Sequence, residues 1–315
     1  MRRLDREDRN LRAAADWALA NDEPGLGLRI VGGIWRWFQQ RGRIREARAL
    51  LTDLLARPSP ADVHVRIAGL AAEGGLAYWM KDFSAARTAY EERLELAAAT
   101  GDPILLADAH YDLGFLSMVA QEREALREHE QLALELYLAA GDEEAATRAR
   151  QAIVLSYFLG GEYQAAADLE YQNLDVFRRI GSRFQVADST TLLSAIHWRL
   201  GDPTMAWTRV SEALSFFSAI EGTSGLARAL AMVAIILLSD GDAEFGGRVA
   251  GAAYRMVREQ GAMLAPVEVL HLPDPAGLAT ERFGADRTAE LLAEGAAIPL
   301  AEIAAQILAM PSPTD

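Results

Sequence analysis

The chain has 315 residues, of which 45 are acidic and 31 basic, for a net charge of −14. That balance argues against a duplex reader with a basic face, because a phosphate backbone would be repelled over most of the surface. The lack of cysteine excludes disulfides and thiolate metal sites, while 51% hydrophobic residues, rich in alanine, suffice for a large helical core.

Residues 4–20 read as a first helix, with Leu4, Leu11, Ala15, Ala18 and Leu19 on one side, and Asn21-Asp22-Glu23-Pro24-Gly25 ends it. A second helix runs to about Gln40. It carries Trp35, Trp37 and Phe38, which cannot all share one face, so one of the three is expected to be exposed. Gly42 breaks it, a third helix follows from about Arg45 to Ala56, and Arg57-Pro58-Ser59-Pro60 interrupts the chain.

From there a repeat governs the sequence. Lys81-Asp82, Gln121-Glu122, Gly161-Glu162, Gly201-Asp202 and Gly241-Asp242 recur at one constant interval. Gly101-Asp102, Gly141-Asp142, Gly181-Ser182 and Glu221-Gly222 lie midway between them. Glycine takes the left-handed cap that ends a helix, and Asp or Ser beside it accepts from the free N–H groups of the next one. Pro103 and Pro203 fit first-turn positions, where no N–H is needed.

Apolar positions keep the same period. Leu94, Leu134, Leu174 and Leu214 form one series, and Tyr78, Met118, Phe158, Trp198 and Leu238 another. Small residues at Ala86, Ala166 and Ala206 mark close helix crossings. Five helix pairs are expected over residues 62–260, with Gly261 ending the last. Val, Ile and Thr do not alternate as in strands, so no sheet is expected. The fold class is therefore all-α: a right-handed superhelical solenoid of antiparallel helix pairs, about 40 residues per pair.

Residues 265–275, with three prolines, read as a loop. Helices over about Ala276–Glu294 and Leu300–Met310 follow, the second started by Pro299, and Pro311-Ser312-Pro313-Thr314-Asp315 reads as a frayed tail. Three parts result: a cap helix and first pair over 1–60, five pairs over 61–261, and a loop with a helical cap over 262–315.

The stretch Ala107-Asp108-Ala109-His110-Tyr111-Asp112-Leu113-Gly114 resembles the first helix of a tetratricopeptide repeat, with His110 where Trp is usual. The usual period is ~34 residues, so each helix here is longer. The flanks are similar to a narrower family. Leu4 to Leu19, Leu28 to Arg43 and Arg45 to Leu51 look like the start of the helical region that follows the nucleotide switch in LuxR/MalT-like and AfsR-like bacterial regulators. Gly246 to Ala253, Arg282 to Asp286 and Ala293 to Glu302 are similar to its closing elements. In that family the region senses an effector or docks a partner and controls the attached module. The chain departs from the full regulators in having no phosphate-binding Gly-Lys-Ser/Thr loop, no cyclase domain, and no room after Met310 for a helix-turn-helix. It is expected to be the sensor region alone.

No nucleophile elbow or phosphate cradle appears, and the five histidines (His64, His110, His129, His197 and His271) lack metal-ligand spacing on one helix face. The expectation is therefore a non-enzymatic protein without cofactor or metal. The opening Met1-Arg2-Arg3-Leu4 has no signal-peptide pattern, and the apolar run Leu226 to Leu238 is shorter than the ~20 residues that span a bilayer, so a cytoplasmic chain without membrane contact is expected.

One repeat position carries Asp108, Arg148, Asp188 and Arg228, alternating in sign. By the resemblance, it lies on the first helix of each pair and faces a concave groove. The four side chains form either a polar strip that grips a peptide or a structural ion-pair ladder that fixes repeat register. Tyr111, Phe115, Gln151, Thr191, Trp198, Arg199 and Ile235 are expected on the same face, as aromatic and Arg anchors are typical of interfaces. Trp198 also belongs to the Tyr78–Leu238 series and has a second reading as repeat core. The function expected is a regulatory scaffold that binds a protein or peptide partner and no nucleic acid directly. The alternatives are a small-molecule effector sensor with a closed pocket, or an oligomerisation scaffold.

Overall fold

The computed structural model describes residues 2–40, 43–58, 62–219, 224–260 and 265–311. The expected breaks at Gly42, Glu221-Gly222 and Gly261 lie outside the described residues, as do Ser59, Pro60 and residues 312–315 of the expected tail. Among the described residues the chain is all-α, with no strand. It is built of tetratricopeptide-like antiparallel helix pairs. Two compact units divide it, residues 1–152 and residues 153–315.

Unit 1 opens with α1 (Arg2–Ala20), α2 (Pro24–Gln40) and α3 (Ile44–Leu55). The pairs α4 (Val63–Trp79) with α5 (Phe83–Thr100) and α6 (Pro103–Val119) with α7 (Arg123–Ala140) follow. The division falls within α8 (Glu143–Leu159). Unit 2 continues with α9 (Tyr163–Ile180), then the pairs α10 (Arg183–Arg199) with α11 (Pro203–Ala219) and α12 (Ser224–Asp240) with α13 (Ala243–Gln260). It closes with α14 (Ala265–Glu268), α15 (Pro275–Phe283), α16 (Ala285–Ala297) and α17 (Leu300–Ala309).

The turn chemistry accounts for the grid. Gly101, Gly141, Gly161, Gly181 and Gly201 end their helices at φ between 71° and 79°. Lys81 and Gln121 adopt the same left-handed conformation at φ 61° and 62° without being glycine. For L residues that costs roughly 1–2 kcal/mol, which the packing of both flanking helices must offset. Asp82, Asp102, Asp142, Asp202 and Asp242 each accept from a backbone N–H in the first turn of the next helix. Ser182, expected to do the same, makes no side-chain cap bond. Ala86, Ala166 and Ala206 are fully buried, as close crossings require.

The aromatic trio of α2 differs from expectation. Trp37 and Phe38 are buried, and Trp35 is half-buried, its ring lying where a Cβ on Gly75 of α4 would have to sit. None of the three is exposed. The C-terminal cap also differs. The helix expected over Ala276–Glu294 is two helices, because Gly284 leaves helical geometry at φ 80° and ψ 168° between α15 and α16. The expected loop at 265–275 contains the short α14. α16 crosses α13 closely: a Cβ on Gly295 would fall 1.8 Å from the carbonyl oxygen of Arg248, and one on Gly251 would fall 2.2 Å from that of Leu292. Among the described residues no single helix is long and apolar enough to cross a membrane.

The two units are packed differently inside. Unit 2 has a continuous apolar core running from Val154 and Phe158 through Leu193, Phe217 and Leu230 to Ile303 and Ile307. Unit 1 has separate clusters, one around Leu28, Trp37, Leu51 and Leu76, another around Ala107, Ala133 and Tyr137. Polar side chains fill positions near them, and the candidate site is built on these.

Candidate functional site

On α6, Asp108, Tyr111, Asp112 and Phe115 recur at intervals of three and four residues, which puts them on one side of the helix. Neighbouring first helices of pairs meet there. The Phe115 ring packs on Tyr78 of α4, centroids 5.2 Å apart, and the Arg148 guanidinium of α8 lies over the Tyr111 ring at 5.9 Å. Phe115 and Arg148 are exposed, and Tyr111 is half-buried.

Beneath this row is a polar network. Arg93 of α5, nearly fully buried, pairs with the Asp112 carboxylate, donates to the Asp108 carbonyl oxygen at 2.9 Å and approaches the Asp108 carboxylate at 3.5 Å. The Tyr137 hydroxyl of α7 donates to Asp108 at 2.6 Å. Burial pushes the Asp112 carboxyl up to about 6, Arg93 pulling against this and the Asp108 charge adding to it. Yet 26% of the Asp112 side-chain surface stays open to solvent. The carboxyl is thus both crowded by protein and still reachable by water. Burial also raises the Tyr137 hydroxyl, its bond to Asp108 acting in the same direction.

In unit 2 the same repeat position joins Asp188 of α10 to Arg228 of α12 in an ion pair. Thr191 is buried, and its hydroxyl donates to the Ala187 carbonyl oxygen at 2.9 Å, so it presents nothing to a ligand. Ile235 is core. Trp198 is half-buried against the apolar core, with the Arg199 guanidinium 5.4 Å from its ring centre, and Arg199 also donates to the His271 carbonyl oxygen at 2.8 Å. Gln151 is half-buried on α8. The structure thus brings together Asp108, Tyr111, Phe115 and Arg148 in unit 1, and within unit 2 it joins Asp188 to Arg228 and Trp198 to Arg199.

Sequence reasoning missed Arg93, Asp112, Tyr137 and Glu130. The i, i+4 spacing of Asp108 and Asp112 was the available signal; nothing local announced Arg93, 19 residues from its partner Asp112. Glu130 of α7 is fully buried, and neither carboxylate oxygen has a hydrogen-bond partner among the described residues. It occupies the space left by the missing Cβ of Gly114, which would fall 2.5 Å from Oε1. Burial raises its carboxyl well above the usual range, and the Asp112 charge adds to the rise. Nearby, the Nδ1 atoms of His110 and His129 are 3.0 Å apart, so one ring donates and the other accepts. Burial lowers both, with the His129 charge a further cause at His110. Among the described residues no group of three or more His, Asp or Glu side chains could hold a metal ion.

No family model matches the chain, and no curated protein matches its sequence. Its fold is similar to solved helical-repeat structures. Aspartyl phosphate phosphatase F from Bacillus subtilis superposes with a TM-score of 0.64 at 13% identity, over 95% of this chain and 75% of that one. The Rap conjugation gene regulator of a plasmid, solved in complex with the Phr peptide, gives 0.57 at 13% identity, over 88% and 93%. A signal transduction ATPase with numerous domains and a tetratricopeptide repeat sensor, from Pyrococcus horikoshii, gives 0.55 at 14% identity; the likeness covers 79% of this chain and 39% of that one. At these identities the likeness establishes the fold.

Proposed function

We propose that the chain is a non-catalytic regulatory module that binds a protein or peptide partner along the first helices of its repeats, with the Asp108–Tyr111–Phe115–Arg148 strip of unit 1 as the contact. The observation that carries this reading is the crowded, partly exposed Asp112 carboxyl beneath that strip. A repeat needs no crowded, water-reachable carboxyl on its inner helices, nor the exposed aromatic and guanidinium groups above it. Carboxylate, tyrosine and arginine in a row can hold backbone amides and the side chains of an extended segment. The Rap regulator of similar fold, solved in complex with the Phr peptide, supports such a partner, and the tetratricopeptide repeat sensor of the Pyrococcus ATPase supports a sensor role. On this reading the module serves a bacterial signalling or transcriptional regulator inside the cell.

The test is a peptide-library screen by thermal shift, since a ligand selective for the folded state raises the midpoint. Hits are then titrated against Tyr111→Ala and Arg148→Ala. Arg148 is exposed and Tyr111 half-buried, so helicity is checked for both variants; each is expected to lose affinity about tenfold or more. Hits that bind both variants as well as the wild type would remove the strip from the contact.

A further inference from the structure

A cleft of about 280 Å³ opens in unit 2 between the end of α9, the start of α10 and the later part of α11. Phe177, Val186 and Ala187 give it an apolar floor, and Arg178, Arg183 and Glu212 stand at its rim. It does not include the Asp188–Arg228 pair or Trp198. Its volume is just below that of pockets that take whole small ligands, ~300 Å³ and upward, and suits one inserted side chain.

The rim is basic in a chain of net charge −14. Arg178, Arg179 and Arg183 fall within a short stretch that includes no carboxylate. Glu212 is shared between Arg178 at 3.1 Å and Arg209 at 3.2 Å, which leaves an excess of positive charge. Arg183 has no carboxylate partner among the described residues; its guanidinium lies over Phe216, 5.3 Å from the ring centre. Phe184, 44% exposed, stands beside it. The repeat does not demand this arrangement: one repeat earlier, the positions of Arg178 and Arg183 hold Leu138 and Glu143. A guanidinium held on an aromatic face beside an apolar hole, with no carboxylate of its own, matches one chemistry, a carboxylate next to a large apolar side chain.

We propose that this cleft is a second docking site, separate from the α6 strip, for an acidic segment of a partner protein that inserts one apolar side chain between α9, α10 and α11. The carboxylates flanking that side chain pair with Arg183 and compete with Glu212 for Arg178.

The probe is a short fluorescent peptide of Glu and Asp around a single Phe, titrated onto the full chain by anisotropy at low ionic strength. Arg183→Glu is expected to weaken binding about tenfold or more with helicity unchanged, because Arg183 is exposed. Replacing the probe's Phe by Ser should weaken it similarly, while Arg148→Ala in the α6 strip should leave it unchanged. Three results would each overturn the proposal: no binding of the probe, equal binding to Arg183→Glu, or equal binding of the Ser-substituted probe. Tighter binding of a single-stranded oligonucleotide than of the peptide would overturn it as well, by making the site a general anion surface.

Discussion

Glu130 in unit 1 and Glu170 in unit 2 hold the same position in successive repeats, and both are fully buried. Their surroundings differ at two repeat positions that the sequence shows. Three positions after Glu170, Asn173 donates to its carboxylate at 2.8 Å; three positions after Glu130 comes Ala133, which offers nothing. Gly114, whose missing Cβ makes room for the Glu130 carboxyl, is replaced one repeat on by Val154. The first repeat has Tyr90 and Arg93 at these two positions, and the fourth has Val210 and Ala213. One architecture therefore tolerates an aromatic and an arginine, an orphaned acid, a hydrogen-bonded acid or plain hydrocarbon in the same slot. Helix pairing depends on the turns and the small crossing residues, and the slot is free to vary in polarity. Unit 1 uses that freedom to place a polar network under its surface strip; unit 2 mostly fills the space with apolar side chains.

The largest expected effect comes from breaking the network. Arg93→Ala leaves Asp112 crowded and unpaired and removes support from Asp108. It should cost about 3–5 kcal/mol in urea unfolding, with hydrogen exchange locating the loss in unit 1. A cost below about 1 kcal/mol would mean that the network is incidental to stability.

The orphaned acid gives a pH signature. A carboxyl whose folded value is raised contributes stability below its unfolded value, and that contribution is lost as pH rises toward the folded value. For Glu130 the loss begins near its ordinary 4.5, and Asp112, pushed up to about 6, acts in the same direction from 3.8 upward. Glu130→Gln removes its part, so the variant should gain on the order of 1–3 kcal/mol over wild type at pH 7 and much less at pH 4. The histidines act oppositely. With His110, His129 and His197 all lowered from 6.5, stability is lost as pH falls below that value, and this acid-side slope should survive in Glu130→Gln. A thermal-melt series from pH 4 to 8 reads both slopes.

Asn173→Ala sharpens the comparison by removing one hydrogen-bond donor from the buried Glu170 carboxylate. It should cost about 1–3 kcal/mol at pH 7 and less at low pH, because the amide donor favours the charged carboxylate. A pH-independent cost would locate the effect in lost packing. The smallest effect is expected at the partly exposed Asp188–Arg228 pair, where Asp188→Asn should change stability by about 0.2–1 kcal/mol. A larger loss would make that pair a structural ladder rung.

The helix grid was legible because its signals are local. A left-handed residue ends one helix, an Asp caps the next, and the pattern returns at a fixed interval, so even Lys81 and Gln121 could be assigned by period without a glycine. The split at Gly284 was less legible, since a glycine within an alanine-rich stretch is compatible with helix until its φ is known. The surface strip was half legible. Repeat arithmetic placed Asp108, Tyr111, Phe115 and Arg148 on stacked helices, but it also placed Thr191 there, whose hydroxyl is taken by its own helix.

Amino-acid order alone determined the number of helices per repeat and their turns, because capping and periodicity act within a few residues of chain. Only tertiary structure decided which polar side chains are satisfied. The fates of Arg93, Glu130 and Arg183 depend on what a different helix brings to within about 3–5 Å, and no spacing along the chain encodes that distance.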